Sequence, residues 1–404
     1  MVRVANPITV SVISACCCWG EGGGSWVCRP WAKEDRVVSK EDFMGTSDWS
    51  FGSIQHATIS MFSCAAPFLY DMFSVPNSLG ISYMGLDSVD PSPGARDHVQ
   101  VVWNERLVAE VRQSAQLWFR EDCGLEVDWT SAALVNKSTE SSLTVLARTD
   151  GVIAGLRVVE VVVDEFQENL VWSSVIDDGD CVEAGTVIGH LSGSVRSILQ
   201  IERVLLNVLG RLSGVATTTR HLVEAIQETP CRIYDTRKTV PGWRLLDKYA
   251  VRCGGGFNHR IGLYDAILIK DNHLAAIQEN GLSPADAVRR SREFISQTFP
   301  AGRADQMVIE IEVDSLNQLA DVLPADPDIV LLDNMSVDEL RQAVALRGSN
   351  APDVILEASG GITLGNISQI ARSGVDRIST GAPTHTSAWL DIGLDWDALS
   401  FRNA

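Results

Sequence analysis

Residues 307–347, MVIEIEVDSLNQLADVLPADPDIVLLDNMSVDELRQAVALR, alternate short apolar runs with amphipathic stretches. The runs MVIEIEV and DIVLLD have the length and β-branched content of buried strands, whereas DSLNQLADVL places its apolar residues at helical spacing. A strand followed by a helix and another strand is typical of a βα unit, whose strands run parallel with both sheet faces covered. This stretch therefore predicts a parallel α/β fold.

The same alternation extends to both sides of that stretch. Further apolar runs, CRIYDT, DAILIK, DVILEA and DRISTG, begin at residues 231, 265, 353 and 376. Such a series of units favours a barrel, here an incomplete one, over an open sheet. We predict an α/β class, with an incomplete α/β barrel as the catalytic domain over residues 201–384. A long helix, ILQIERVLLNVLGRLSGVATTTRHLVEAI, opens that domain.

Residues 101–200 predict an N-terminal α/β sandwich domain, to which residues 385–404 return. The segment SLTVLARTDGVIAGLRVVEVVV reads as two strands around a turn at Asp150-Gly151. The glycine-punctuated hairpins that follow are those of a lipoyl or biotinyl carrier, which needs a lysine at the hairpin tip. No lysine lies between Lys137 and Lys238, so a structural sandwich remains.

Residues 1–100 differ from the rest of the chain. Stretches such as CCCWGEGGGSWVC show neither helical nor strand periodicity, and glycine, serine and proline recur. We interpret these residues as an N-terminal extension that is disordered or arises from a wrongly assigned start codon, with Met84 as a reasonable true start.

Composition narrows the class of protein. The 404 residues are 45% hydrophobic and 21% charged, as in soluble globular proteins, and the net charge of −19 argues against nucleic-acid binding. No apolar run approaches the roughly 18 residues that a membrane span requires. The nine cysteines have neither zinc-ligand spacing nor a disulfide pattern, which favours a reducing compartment, the cytoplasm.

Polar residues and glycines follow the predicted strands at the same end. Because barrel active sites lie at the carboxyl ends of the strands, these residues predict a site. They are Arg237, Lys238, Lys270, Glu312, Asp333, Ser359, Gly360, Gly361 and Gly381.

The residue types indicate a ligand with several negative charges. Arg237, Lys238, His259, Arg260 and Lys270 could form a cationic pocket, in which arginine offers bidentate hydrogen bonds to carboxylate or phosphate. Glu312 and Asp333 would repel each other there unless a hard cation such as Mg²⁺ joined them, and SGG and STGA suit a phosphomonoester held by backbone N–H groups. A polyphosphate substrate is therefore expected.

The block YDTRKTVPGWRLLDKYAVRCGGGFNHRIGLYDAILIKDNH, with EIEVDSL, LLDNMS, EASGGI and STGAPTH, resembles the quinolinate phosphoribosyltransferases. The similarity runs from about Glu121 to about Asp391. The resemblance implies an α/β sandwich joined to an incomplete α/β barrel. It also implies transfer of phosphoribosyl from 5-phosphoribosyl-1-pyrophosphate to quinolinate with Mg²⁺, giving nicotinate mononucleotide, pyrophosphate and CO₂ for NAD biosynthesis.

Roles for individual residues follow from the same resemblance. The quinolinate carboxylates would be bound by Arg203, Arg237, His259 and Arg260, with Arg203 reaching the pocket of a neighbouring subunit in a homodimer or higher even oligomer. Lys238 and Lys270 would be shared with the phosphoribosyl donor, and Glu312 and Asp333 would serve Mg²⁺ and the ribose hydroxyls; these four would be catalytic. The 5-phosphate would lie at Ser359, Gly360 and Gly381, near His385.

Two alternatives stay open, and some residues depart from the family pattern. A related phosphoribosyltransferase could act on nicotinate or another planar acid, and a Schiff-base aldolase could use Lys270 as its nucleophile.

Arg377 and Pro383 stand where the family usually has apolar residues flanking the last phosphate loop. Elsewhere, Arg244, Lys248 and Arg252 stand four apart on a predicted helix and are interpreted as a solvated or subunit-facing stripe.

Overall fold

The structure, a computed structural model, describes residues 97–166, 169–278 and 281–396. The predicted N-terminal extension therefore lies outside the described residues up to residue 96, as do the last eight residues of the C-terminal return. In the described part, no helix combines the length and the apolar character that a membrane crossing requires.

An antiparallel sheet of four strands forms the centre of the N-terminal domain, in the order β12, β1, β5, β3. A separate two-stranded ribbon pairs β2 with β4. The last described strand thus returns to the first domain and pairs with β1. The strands are β1 (Glu140–Ala147), β2 (Gly151–Val152), β3 (Leu170–Ser174), β4 (Cys181–Val182), β5 (Val187–Ser194) and β12 (Ile392–Trp396).

Four helices accompany this sheet, and the longest of them also enters the barrel. They are α1 (Glu105–Cys123), α2 (Trp129–Leu134), α3 (Leu156–Phe166) and α4 (Val195–Glu224). Asn104 caps α1 by accepting from the backbone N–H of Leu107 at 3.0 Å. Most of α4 packs into the core of the sandwich, whereas Leu222 near its end belongs to the core of the barrel.

The predicted second strand after Asp150-Gly151 is wrong. The segment pairs as a strand only at Gly151–Val152, and the valine-rich stretch that follows forms α3. Burial explains the difference. Val158, Val159 and Val162 are fully buried, so packing on the domain core outweighs the preference of β-branched residues for strands.

Six parallel strands form the second sheet, in the order β6, β11, β10, β9, β8, β7. No ladder joins β6 to β7 in the described part, so the barrel is open there. The strands are β6 (Arg232–Tyr234), β7 (Ala266–Ile269), β8 (Val308–Val313), β9 (Ile329–Asp333), β10 (Ile355–Ser359) and β11 (Arg377–Ser379). The predicted incomplete barrel is confirmed.

Helices follow each strand of this sheet. Capping boxes at Ser283 and Ser336 fix the starts of two of them. The helices are α5 (Arg244–Cys253), α6 (Asp271–Gln278), α7 (Pro284–Thr298), α8 (Ala301–Ala304), α9 (Leu316–Val322), α10 (Val337–Asn350), α11 (Ile367–Ala371) and α12 (Ala382–His385).

The strands bury both faces. Ile309, Ile311 and Val313 of β8 belong to the core between sheet and helices. Val308 lies on the other face of the strand and packs with Ala266 and Ile329 in a separate small cluster. Because side chains alternate along a strand, Glu310 and Glu312 share that second face with Val308, which is the interior of the barrel.

Candidate active site

The parallel strands bring their carboxyl ends to one edge of the barrel. The residues found there come from five of the six strands or from the loops directly after them. They are Arg237 and Lys238 after β6, Lys270 after β7, Glu312 in β8, Asp333 in β9, and Ser359 with Gly360 at the end of β10.

Lys270 and Glu312 form an ion pair across neighbouring strands. The register pairs Ile269 with Ile311, so the residue after each lies next to the other, and the Lys270 ammonium donates to the Glu312 carboxylate. The lysine side chain is 41% exposed and the glutamate 14% exposed. The ammonium can therefore still reach a ligand at the strand ends.

Asp333 and Ser359 are direct partners in the register of β9 and β10. The next residue, Asn334, donates its backbone N–H to the carbonyl of Ser359 at 2.9 Å and its side-chain amide to Asp333 at 2.8 Å. Gly360 has a φ of +89°, and a Cβ there would lie 2.2 Å from the Asn334 amide oxygen. Only glycine fits this turn, which leaves the backbone after β10 open to a ligand.

Lys238 lies beside the loop that follows the last strand. A Cβ on Gly381 would meet its Cδ at 3.2 Å, and the Thr384 hydroxyl donates to its carbonyl at 2.8 Å. The Lys238 side chain is exposed at this edge. His385, at the end of α12, is also exposed, and its backbone N–H donates to the Gly381 carbonyl at 3.0 Å.

Arg211 of α4 anchors that loop, a role that sequence reasoning missed. Its Nη2 donates to the Thr384 carbonyl at 2.5 Å and to both oxygens of Asp247 at 3.0 Å. Asp247 is fully buried. A bidentate contact of this kind is directional, so it fixes the loop against helices α4 and α5.

Two positively charged side chains, Arg237 and Arg260, lie close enough for their charges to repel each other. Burial and the neighbouring charge of Arg237 hold the pKa of the Arg260 guanidinium below its usual value. Arg260 is 6% exposed, and the buried Nε of Arg237 has no hydrogen-bond partner among the described residues. A buried guanidinium beside a half-buried one with an unused buried donor favours an anion between them.

His259 is buried, and the protein engages both of its ring nitrogens. Nε2 lies 3.1 Å from Glu310 and 3.5 Å from Glu357. Burial opposes protonation, but the two carboxylates outweigh it and raise the pKa of His259 to about 9. The backbone N–H of Arg260 donates to Nδ1 at 2.8 Å, which requires a lone pair there. The carboxylates thus favour the imidazolium and this contact favours the neutral ring, but in both forms Nε2 carries the proton that faces Glu310.

The interpretation of Lys248 as part of a solvated stripe is wrong. Lys248 is fully buried, and its ammonium donates to Asp235 and, at 2.8 Å, to the carbonyl of His259. Asp235 also accepts from the backbone N–H of His259 at 2.8 Å and from the amide of Asn258 at 2.8 Å. This buried group therefore fixes the chain from Asn258 to Arg260.

The two flanking arginines of the stripe also face the protein. Arg244 donates to the Thr239 hydroxyl at 3.1 Å, and Arg252 donates to the Gly256 carbonyl at 2.5 Å. Arg252 also lies over the ring of Phe257, 4.7 Å from its centre. The three bases support the loops after β6 and after α5 instead of facing solvent.

Arg203 does not join the strand-end residues within the chain. It lies exposed on α4, and none of the hydrogen bonds or ion pairs among the described residues connects it to them. Pro383 is buried in α12, and Arg377 is buried in β11.

Comparisons with known proteins agree with this arrangement. The family description "Quinolinate phosphoribosyl transferase, N-terminal domain" matches residues 128–213, and its C-terminal counterpart matches residues 215–395. A Mycobacterium leprae protein named nicotinate-nucleotide pyrophosphorylase [carboxylating] is 40% identical over 286 residues, 70% of this chain and 96% of that protein. A Synechocystis protein named as a probable enzyme of the same kind is 38% identical over 279 residues, 69% of this chain and 90% of that protein.

Solved structures show the same relationship. The nicotinate-nucleotide pyrophosphorylase of Francisella tularensis has a TM-score of 0.66 at 36% identity and covers 74% of this chain and all of its own. The Ehrlichia chaffeensis protein of that name has a TM-score of 0.64 at 33% identity, over 72% of this chain and 98% of its own.

An incomplete barrel with lysines, carboxylates and glycine turns at its strand ends is typical of an enzyme that acts on a phosphorylated substrate. The comparisons make the assignment specific. The chain belongs to the quinolinate phosphoribosyltransferase family.

Proposed function

We propose that this chain transfers the phosphoribosyl group of 5-phosphoribosyl-1-pyrophosphate to quinolinate, with loss of one carboxylate as CO₂. The products are nicotinate mononucleotide and pyrophosphate, and the reaction belongs to NAD biosynthesis. The observation that carries this proposal is the pair of neighbouring cations Arg237 and Arg260, of which Arg260 is buried and Arg237 has an unused buried donor. Such a pair fits a planar dicarboxylate better than a monocarboxylate such as nicotinate.

The acceptor is held by its two carboxylates. Arg237 and Arg260 bind them directly, and the Asp235–Lys248 pair holds the segment from which Arg260 projects. His259 completes the wall of this pocket beneath them, since its ring is buried against Glu310. The ring nitrogen of quinolinate is thereby oriented toward the ribose.

The donor lies along the strand ends. Its 5-phosphate is held by backbone N–H groups at the turn after Ser359 and Gly360 and at the loop from Gly381 to His385, where a missing side chain allows close approach. Lys238 and Lys270 both reach this edge. Their ammonium groups stabilise the charge that builds on the departing pyrophosphate, which is the electrostatic contribution that accelerates this type of transfer.

The carboxylates Glu312 and Asp333 fit a Mg²⁺ ion. They are hard oxygen donors at the ends of adjacent strands, and neither is fully buried, so substrate phosphates and water could complete the coordination. When bound, Mg²⁺ would neutralise charge on the pyrophosphate. The ion pair with Lys270 engages one oxygen of Glu312 and orients that carboxylate.

No covalent enzyme intermediate is needed for this reaction. The residues bind, orient and stabilise charge, while the bond from the anomeric carbon to pyrophosphate breaks and the quinolinate nitrogen takes its place. The 2-carboxylate then lies beside a cationic ring nitrogen. When CO₂ departs, the electron pair of the broken bond stays on C2, where the adjacent positive charge stabilises it, and C2 then takes up a proton from water. Arg237 and Arg260 hold the carboxylates in place for that step.

The exposed position of Arg203 supports assembly into dimers or higher even oligomers. It is exposed on α4, and none of the hydrogen bonds or ion pairs among the described residues joins it to the site of its own chain, so a second copy could use it. Each pocket would then be completed by Arg203 of the other subunit. We place the enzyme in the cytoplasm, since none of its cysteines has disulfide spacing.

Mass spectrometry of the products tests the proposal. Purified protein is incubated with phosphoribosyl pyrophosphate, Mg²⁺ and either quinolinate or nicotinate. The expected result is nicotinate mononucleotide from quinolinate, with little product from nicotinate and none in excess chelator. Equal turnover of nicotinate would favour the monocarboxylate alternative, and a borohydride-trapped adduct on Lys270 would favour the aldolase.

A further inference from the structure

A layer of charged side chains lies inside the barrel, directly beneath the pocket. Glu310, Glu357 and Arg377 precede Glu312, Ser359 and Ser379 by two residues in their strands, so each points to the barrel interior one layer deeper. The three charged side chains are buried, with exposures of 0–2%. A buried charge is costly unless it is paired, so each of these three side chains needs a partner inside the barrel.

Arg377 joins one side of the layer to the segment before α1. Its Nε lies 2.5 Å from Glu357, and its guanidinium packs over the Tyr234 ring at 4.4 Å. Its Nη1 donates to Asp97 at 2.7 Å, and the Tyr234 hydroxyl donates to the same carboxylate at 2.5 Å. Asp97 is therefore fixed by two partners inside the barrel.

His98 joins the other side. Its ring is buried, its Nε2 lies 3.3 Å from Glu310, and its centre lies 4.2 Å from that of the His259 ring. Burial, together with the nearby His259, lowers the pKa of His98 to about 4, so it is neutral near pH 7. A neutral imidazole can pack against the His259 ring, with its Nε2 beside Glu310, without adding a positive charge to the layer.

The next residues clamp the backbone beside His259. The Gln100 amide donates to the carbonyl of Asn258 at 3.1 Å and accepts from its N–H at 2.8 Å. The backbone N–H of Val101 donates to the Asn258 side-chain oxygen at 2.7 Å. These contacts come from four residues that precede residue 128, where the match to the N-terminal family description begins: Asp97, His98, Gln100 and Val101.

The spacing of His98, His259 and Glu310 would also allow a metal ion. The hydrogen bond from the backbone N–H of Arg260 to Nδ1 of His259 argues against one. In the neutral ring with Nδ1 as acceptor, and also in the imidazolium, Nε2 carries a proton that faces Glu310, so it has no lone pair for a metal.

We propose that the segment 97–101 is a positioning element of the pocket, an inference that rests on the proposed function. Asp97 and His98 hold the buried layer around His259, and Gln100 with Val101 holds Asn258. His259 in turn accepts from the backbone of Arg260, so the segment sets where Arg260 presents its guanidinium to the quinolinate carboxylate. Its residues act through others and do not touch substrate.

Substitution in the full chain tests the role of His98. In His98→Ala, the KM for quinolinate is expected to rise roughly 10- to 100-fold, the range for a displaced binding group, while the KM for phosphoribosyl pyrophosphate changes less than about 2-fold. His98→Gln keeps a donor near the position of Nε2 and is expected to restore most of the affinity. His190→Ala, half-buried in the other domain beside Thr144, is the matched control.

Direct binding separates this inference from the proposed function. Calorimetry of quinolinate with the wild type should show binding, and its absence there would overturn the proposed function itself. If the wild type binds and His98→Ala binds equally well, only the positioning role is contradicted. If the wild type binds one equivalent of a metal ion and His98→Ala does not, the cluster is a metal site and the positioning role is contradicted.

A second variant covers the case in which His98→Ala does not fold. Gln100→Ala removes the clamp on Asn258 from a half-buried position. It is expected to raise the KM for quinolinate at least roughly 5-fold, with kcat changed less. An unchanged KM, or an equal change in the constants for both substrates, would contradict the proposal.

Discussion

Lys270 and Glu312 meet as an ion pair at the carboxyl ends of β7 and β8, where the register sets the two residues side by side. The position of each side chain depends on the other. The lysine orients the carboxylate, and the carboxylate keeps the ammonium at the strand ends. This pair links the two halves of the proposed donor site, since it joins a proposed phosphate-binding cation to a proposed Mg²⁺ ligand.

Lys270→Ala is therefore expected to lower kcat/KM by at least roughly 10- to 150-fold, the cost of one charge-assisted hydrogen bond. The exposed Lys137→Ala serves as the control and should retain wild-type kinetics. Steady-state measurement of kcat/KM for both variants tests this prediction. Near-normal activity of Lys270→Ala would remove this residue from the site.

The two arginines of the acceptor pocket give a second prediction. Arg237→Ala and Arg260→Ala should each lower kcat/KM for quinolinate by roughly 10- to 150-fold, because each removes a charged donor to a carboxylate. Arg289→Ala, on the outer surface of α7, should change neither constant. A loss seen only in the KM for phosphoribosyl pyrophosphate would assign the two arginines to the donor instead.

The assembly of the site can be tested by mixing inactive variants. Arg203→Ala and Lys270→Ala are combined in equal amounts under conditions that exchange subunits. If Arg203 serves the neighbouring chain, each hybrid dimer has one intact site, and random pairing should return roughly a quarter of wild-type activity. No recovery after verified exchange would place the action of Arg203 within its own chain or outside the site.

The pH dependence of stability follows from His98. Its pKa is about 4 in the folded protein against 6.5 for an ordinary histidine, chiefly because it is buried, with Glu310, His259 and Arg377 facing it. Between these values the unfolded chain binds a proton that the folded chain does not, so the free energy of unfolding rises with pH. The stabilisation is complete above pH 6.5 and is lost as the pH falls through about 4.

Denaturant unfolding at pH 5 and pH 7 measures this effect. His98 should contribute about 2 kcal/mol to the difference in free energy of unfolding between the two pH values. His98→Gln cannot titrate and should show a difference smaller by that amount. An identical difference in wild type and variant would contradict the neutral, buried state of His98.

The sequence alone was sufficient to predict which residues lie at the ends of the parallel strands. Alternation of side chains along short apolar runs predicts that Glu312 and Asp333 end buried strands, and parallel strands end at one edge. Helical spacing was less informative for Lys248, because a base repeating every four residues is more often solvated than paired. Its partner Asp235 precedes it by thirteen positions and lies beyond the end of another element.

The layer beneath the pocket could not be predicted. His98 and Glu310 meet across more than two hundred residues, and Asp97 and Arg377 are separated by 280 positions. Arg377 also occupies a strand position at which an apolar residue is expected. Contacts of this kind depend on how the segment before α1 enters the barrel, which no local periodicity encodes.

The most direct test of the account follows the carboxylate that the reaction should remove. Quinolinate carrying a carbon label in its 2-carboxylate is incubated with phosphoribosyl pyrophosphate, Mg²⁺ and the full chain, and labelled CO₂ and pyrophosphate are counted together. The account predicts one labelled CO₂ for each pyrophosphate and each nicotinate mononucleotide formed. Release of pyrophosphate with the label retained in the nucleotide product, or no release at all, would contradict it.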